Sequence, residues 1–110
     1  MKLKLPNSEN AFIAKEKILD YLLDEENSKG KSVFFNLFGY FKDNFEDLAI
    51  DLLALASSGE VSETEQTKFG LKFIISGNII APNGRSIFIT SVWIIKNDED
   101  FPRFVTAYPS

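Results

Sequence analysis

The stretch Leu71–Ile95, LKFIISGNIIAPNGRSIFITSVWII, decides the fold. Two runs rich in β-branched and aromatic residues flank Ala81-Pro82-Asn83-Gly84-Arg85. Pro82 presets φ for the first corner of a type I turn, and Gly84 accepts the left-handed conformation that closes it. A type I turn followed by a glycine bulge is a common three-residue hairpin loop. It sets Ala81 against Arg85, so Ile79 meets Ile87, Gly77 meets Ile89, Ile75 meets Ser91, Phe73 meets Trp93 and Leu71 meets Ile95. Side chains alternate along a strand, so these odd positions share one face, and it is almost wholly apolar. Turn chemistry and hydrophobic pattern select the same register independently. The even face pairs Ile80 with Ser86, Asn78 with Phe88, Ser76 with Thr90, Ile74 with Val92 and Lys72 with Ile94. That mixture suits a face that is partly covered or that contacts something else.

Upstream the periodicity is helical. Ile18 with Leu22, and Leu19 with Leu23, mark a buried stripe on a helix over about 15–24. Ser28 or Ser32 caps a second helix ending near Phe38, with Gly39 just beyond it. Phe34, Leu37, Phe38 and Phe41 are its expected core face. Asp43 and Glu46 form a capping box for a third helix over about 44–57, whose stripe is Phe45, Leu48, Ala49, Leu52 and Ala56, with Gly59 at its end. Residues 61–67 read as a loop or a polar edge strand, with Glu63 and Glu65 solvated. Asp98-Glu99-Asp100 lacks calcium-loop spacing and reads as a solvated turn. Phe101-Pro102 leads into a last strand, Arg103–Tyr108. Leu3 and Leu5 are expected to pack, and Ala11–Ile13 to be extended. The result is one α+β domain over residues 1–110, with about three N-terminal helices on one face of a C-terminal antiparallel sheet of three to four strands.

Composition narrows the chemistry. With 110 residues the chain can bury a core without staples, and its 11 phenylalanines make that core aromatic. It has no Cys and no His, so thiol chemistry and the commonest metal ligand and acid–base residue are ruled out. The expected site holds no cofactor and no metal. Gly30-Lys31-Ser32 matches the tail of a phosphate-binding loop, but Glu25 stands where that loop needs glycine. The three residues read instead as the start of a helix. A net charge of −4 opposes non-specific nucleic-acid binding, which neutralises phosphates. No apolar run approaches a membrane span or a secretory signal, and a cytoplasmic, non-membrane protein is expected.

The runs Leu5-Pro6-Asn7, Tyr21-Leu22-Leu23, Gly39, Gly70, Ala81–Arg85, Val92-Trp93-Ile94-Ile95 and Pro102–Pro109 resemble a small bacterial family catalogued as a domain of unknown function. The resemblance spans nearly the whole chain and implies either a free-standing small protein or the last module of a longer secreted toxin. A weaker likeness, carried by helices before an antiparallel sheet and by Thr106-Ala107-Tyr108-Pro109, is to the barnase–EndoU–colicin–RelE nucleases. By that likeness, members without His cleave RNA with Arg, Lys, Tyr and hydroxyl groups on the open sheet face. Two readings follow. The first is a non-enzymatic interaction domain of a toxin–antitoxin or immunity-type system, with a small cognate protein as partner. The alternative is a metal-independent ribonuclease acting on RNA, with Arg103, Arg85, Lys72 and Lys96 as candidate cations and Thr106, Tyr108 and Thr90 orienting the phosphate. Thr106 and Tyr108 join Ser76 and Thr90 on the even face only if Thr106 pairs near Val92.

Overall fold

A computed structural model describes residues 3–110. Helices α1 (Lys15–Lys17, continued by a π-helical turn, Ile18–Leu22), α2 (Lys31–Leu37) and α3 (Phe45–Ser58) precede strands β1 (Glu60–Gln66), β2 (Gly70–Ile80), β3 (Ser86–Lys96) and β4 (Arg103–Pro109). The strands form a four-stranded antiparallel meander in the order β1-β2-β3-β4. This is the expected α+β layout.

The β2–β3 hairpin has the register that the turn dictates, from Gly70 opposite Lys96 to Ile80 opposite Ser86. Gly84 N–H donates to Ala81 O and Ala81 N–H to Arg85 O, each at 2.8 Å, and Gly84 has φ 87°. Phe73, Ile75, Ile79, Ile87, Ile89 and Trp93 are buried on the odd face. Trp93 packs edge-on against Phe104 of β4, with centroids 5.3 Å apart. Its indole N–H donates to Ser91 Oγ at 3.0 Å, and Ser91 in turn donates to Ile75 O at 3.0 Å. The buried serine on this face is thus satisfied, as burial requires.

The helices roof this face. Leu48, Leu52, Leu55 and Ala56 of α3 and Ile18 and Leu22 of the first helix complete the core. The first helix widens by one residue per turn at Ile18, where Leu23 N–H reaches Ile18 O. It therefore ends at Leu22 rather than near Asp24.

Two local expectations are corrected. On α2 the buried ring is Phe35, stacked edge-on with Tyr40, whereas Leu37 is 72% exposed and Phe41 is also exposed. Phe34 and Phe38 are partly buried and pack against the core, their rings 5.0 Å apart, so the expectation holds for them in part. The fully buried line of this seven-residue helix runs through Ser32 and Phe35. Ahead of α3 the chain makes a short 3-10 turn, Lys42–Asn44, and Asn44 rather than Asp43 closes it by accepting the Phe41 N–H at 2.7 Å. Ser28 does cap α2, its Oγ accepting Ser32 N–H at 3.0 Å. Leu5 packs in the core while Leu3 is exposed. Residues 60–66 form an edge strand with a bulge at Ser62, whose hydroxyl donates to Ile74 O.

Candidate functional site

The helices roof the odd face; on the even face the centre of β3 is buried as well, at Thr90, Val92 and Ile94, and the large exposed side chains lie at the hairpin end. Along β3 this face shows Phe88, Thr90, Val92 and Ile94. Beside them on β2 lie Asn78, Ser76, Ile74 and Lys72, and on β1 Glu63 and Glu65. At the hairpin end the surface is apolar and open, with Ile80 64% and Phe88 49% exposed. Its middle is a hydroxyl cluster. Ser76 Oγ and Thr90 Oγ1 are 2.8 Å apart, and Ser110 Oγ also contacts Thr90 Oγ1. Tyr108 stands opposite Thr90, and Ser86 Oγ donates to Asn78 Oδ1 at 3.3 Å.

Strand β4 carries a bulge. Val92 faces Thr106 while Trp93 faces Phe104, leaving Val105 as the extra residue. Thr106 has the register that groups it with Thr90, and its hydroxyl is buried. It lies by Tyr21, whose phenol receives a hydrogen bond from Lys31 Nζ at 3.1 Å. Lys31 first, and Thr106 second, hold the Tyr21 phenol below its ordinary range.

The candidate cations are scattered. Arg103 makes a bidentate pair with Glu99, Nε and Nη2 each 2.7 Å from a carboxylate oxygen. Its guanidinium also stacks 4.9 Å from the Phe101 centroid and 5.4 Å from that of Phe12. Such a fork-to-fork pair fixes the side chain. Arg85 sits exposed at the hairpin turn. At about 3.3 Å of rise per residue, the nine residues from it to Ile94, which faces Arg103, place the two arginines roughly 30 Å apart. One phosphate cannot touch both. Lys72 and Lys96 lie at the Arg103 end of the sheet, opposite Ile94 and Gly70 respectively.

Two residues that the sequence did not single out belong to this end. Lys68 and Phe69 form the tip of the β1–β2 turn, and Phe69 is 65% exposed. Thr67 Oγ1 accepts the Phe69 and Gly70 N–H groups, both at 3.2 Å. From the β3–β4 connection, Asn97 N–H reaches Phe69 O at 3.0 Å and Asn97 Nδ2 reaches Lys68 O at 2.8 Å. The available signal was Phe69-Gly70, an aromatic followed by the residue that permits close backbone approach. Among the described residues, no cluster of three or more His, Cys, Asp or Glu can hold a metal ion, and no helix is long and apolar enough to cross a membrane.

Two carboxylates lie below their usual range. Glu99 is lowered chiefly by its hydrogen bond from Arg103, and Asp24 by the Asn27 backbone N–H and then Lys42. A depressed folded value means that the stabilisation is in place above the ordinary carboxyl range, near pH 4, and is lost as pH falls through the folded value. The thermal midpoint should therefore drop on acidification below about pH 4, and the Glu99→Gln chain should show a smaller drop. Circular-dichroism melts across that window test this; superimposable pH profiles for the two chains would rule the pair out as a contributor.

An antiparallel four-stranded sheet roofed on one face by N-terminal helices defines the structural class. The chain belongs to the family described as domain of unknown function DUF6883, whose model matches residues 4–110. No curated protein matches the chain. Among solved structures, it is similar to a chain of a contact-dependent growth inhibition toxin–immunity protein complex from Klebsiella pneumoniae 342. The TM-score is 0.73 at 16% identity, and the match covers 94% of this chain and 96% of that chain. At that identity the likeness shows the fold.

Proposed function

We propose that this one-domain protein is a cytoplasmic interaction module of a toxin–antitoxin or immunity-type pair, and that its even sheet face receives a small cognate protein. The observation that carries the reading is the hairpin end of the even face, where Phe88 and Ile80 are presented to solvent beside a satisfied hydroxyl cluster. An exposed apolar patch rimmed by polar groups is the usual mark of a protein contact. The likeness to a chain of a toxin–immunity complex supports it. So does the state of Arg103, whose donors are engaged by Glu99.

The test is co-expression of the tagged chain with the product of the adjacent gene, followed by co-purification and titration. A one-to-one complex is expected, and Phe88→Glu should weaken it tenfold or more, since a charge is driven into an apolar contact (about 1.4 kcal/mol per tenfold). Failure of the two proteins to associate would overturn the proposal.

A second reading, metal-independent RNA cleavage, is favoured by one observation: lysines and hydroxyls share the same even face. In it Lys72 is the cation, Thr90 and Tyr108 orient the phosphate, and Thr106, Arg103 and Arg85 act at a distance. Cleavage of RNA in EDTA by the wild type, abolished by Lys72→Ala with Thr90→Val, would install this reading over the first.

A further inference from the structure

We infer that the partner inserts an acidic segment bearing an aromatic or aliphatic anchor at the lysine end of this face, an inference that rests on the face being a protein-binding surface. A depression of about 510 Å³ lies there, lined by Lys68, Phe69, Lys72, Ile94, Lys96, Asn97, Asp98 and Val105. Its apolar lining is Ile94, Val105 and Phe69. A neighbouring depression of about 230 Å³ shares Ile94, Lys96 and Val105 with it and adds Lys17. Three ammonium groups, Lys68, Lys72 and Lys96, thus border the larger depression, and Lys17 borders the smaller one, in a chain whose net charge is −4. Among the described residues, none of Lys17, Lys68, Lys72 and Lys96 closes an ion pair. Lys72 has Glu65 opposite it on β1, Asp98 is an acid on the rim, and Lys96 is close enough to Glu99 to help hold that carboxyl low after Arg103. Lys68 rests over the Phe69 ring, 5.2 Å from its centroid.

The anchor point is preorganised. Phe69 gains little for the fold by standing in water, yet Thr67 fixes its backbone within the turn and Asn97 ties it to the β3–β4 connection. A rigid exposed aromatic loses little entropy on binding, which is the property of an interface hot spot. Unpaired lysines around it supply charge complementarity and steering toward an acidic partner. A long polyanion fits less well than a short acidic segment. Leaving the basin toward β1, it meets Glu63 and Glu65 one strand away, about 4.8 Å across the sheet. The basin is lined by a single aromatic ring, Phe69, beside Ile94 and Val105, whereas single-stranded nucleic acid is held by stacking on successive aromatic rings.

The experiment uses the whole chain and two probes. The first is a short fluorescein-labelled peptide of glutamates around a central tryptophan, followed by anisotropy. The second is the co-purified partner. The peptide should bind, and it should weaken at least tenfold on Lys68→Glu/Lys72→Glu/Lys96→Glu, several-fold on Phe69→Ala, and progressively with salt from about 50 to 300 mM. The triple Lys→Arg chain should keep its affinity within about twofold, which separates charge from misfolding. An oligouridylate of similar charge binding more tightly than the peptide would overturn the inference in favour of nucleic acid. Peptide binding unchanged by charge reversal, or no binding, would also overturn it. If the triple Glu chain holds the partner like wild type while Phe88→Glu breaks the complex, the basin is wrong and the face reading stands. If neither change matters, the face reading itself falls.

Discussion

Replacing Trp93 with alanine is expected to lower stability by about 3–5 kcal/mol, the range for removing a large aromatic from a close-packed interior. Trp93 is fully buried, faces Phe73 across the hairpin and packs edge-on against Phe104. It therefore joins three adjacent strands and the helical roof at one point. The vacancy would sit in the centre of the core, where helices and sheet are both too constrained to collapse into it. A domain of this size has about 5–15 kcal/mol of stability in all, so the chain would approach its unfolding threshold. With a urea dependence of about 1–3 kcal/mol per molar, the midpoint should fall by roughly 2 M. Trp93→Phe should cost less, because it keeps ring volume and loses the indole bond to Ser91. A midpoint shift below about 0.5 M for the alanine chain would contradict this account of the core.

The second large effect is expected at Gly70. Its φ is 156°, and a Cβ placed there would lie 2.2 Å from Ile95 O and 2.7 Å from Lys96 Cα. Both are backbone atoms of β3 and cannot rotate away. Gly70→Ala must therefore push the start of β2 off its partner, at about 2–3 kcal/mol for overpacking and backbone strain together. The same displacement moves Phe69, the neighbouring residue, away from Asn97. The substitution should thus weaken partner binding as well as stability, whereas Phe69→Ala should affect binding with little change in the urea midpoint. Measuring both quantities on both chains distinguishes the roles. A Gly70→Ala chain as stable as wild type would show that the two strands have slack which the packing does not suggest.

Much of the fold was legible because several local signals agreed. Pro82 and Gly84 set the loop, the loop set the register, and the odd-numbered apolar residues matched that register without further information. The helical stripes at Ile18/Leu22 and Leu48/Leu52 were legible for the same reason, being periodic over more than one turn. Short α2 was not. Phe34, Phe35, Leu37 and Phe38 are interchangeable as hydrophobes, and only the position of Tyr40 and the sheet selects Phe35 as the inward ring. The bulge at Val105 was equally invisible, because an extra residue in one strand leaves no compositional trace.

The candidate site divides in the same way. Ser76 beside Thr90 followed from the hairpin register alone, and the contact is present at 2.8 Å. The state of Arg103 did not follow, since its bond to Glu99 and its stacking on Phe12 depend on how the N-terminal segment returns to β4. Nor did the lysine basin, whose members come from the β1–β2 turn, β2, β3 and the β3–β4 connection.

The sequence by itself determined the order of elements, the hairpin, its register and which of its faces is dry. These are set by dihedral preferences and by the period of apolar residues, both of which act over a few neighbouring positions. Tertiary structure alone decided which charges are paired, which aromatic side chains stand in water and where the lysines converge. Those outcomes depend on distances between segments far apart in the chain, and such distances exist only once the sheet has closed and the helices have covered one side of it.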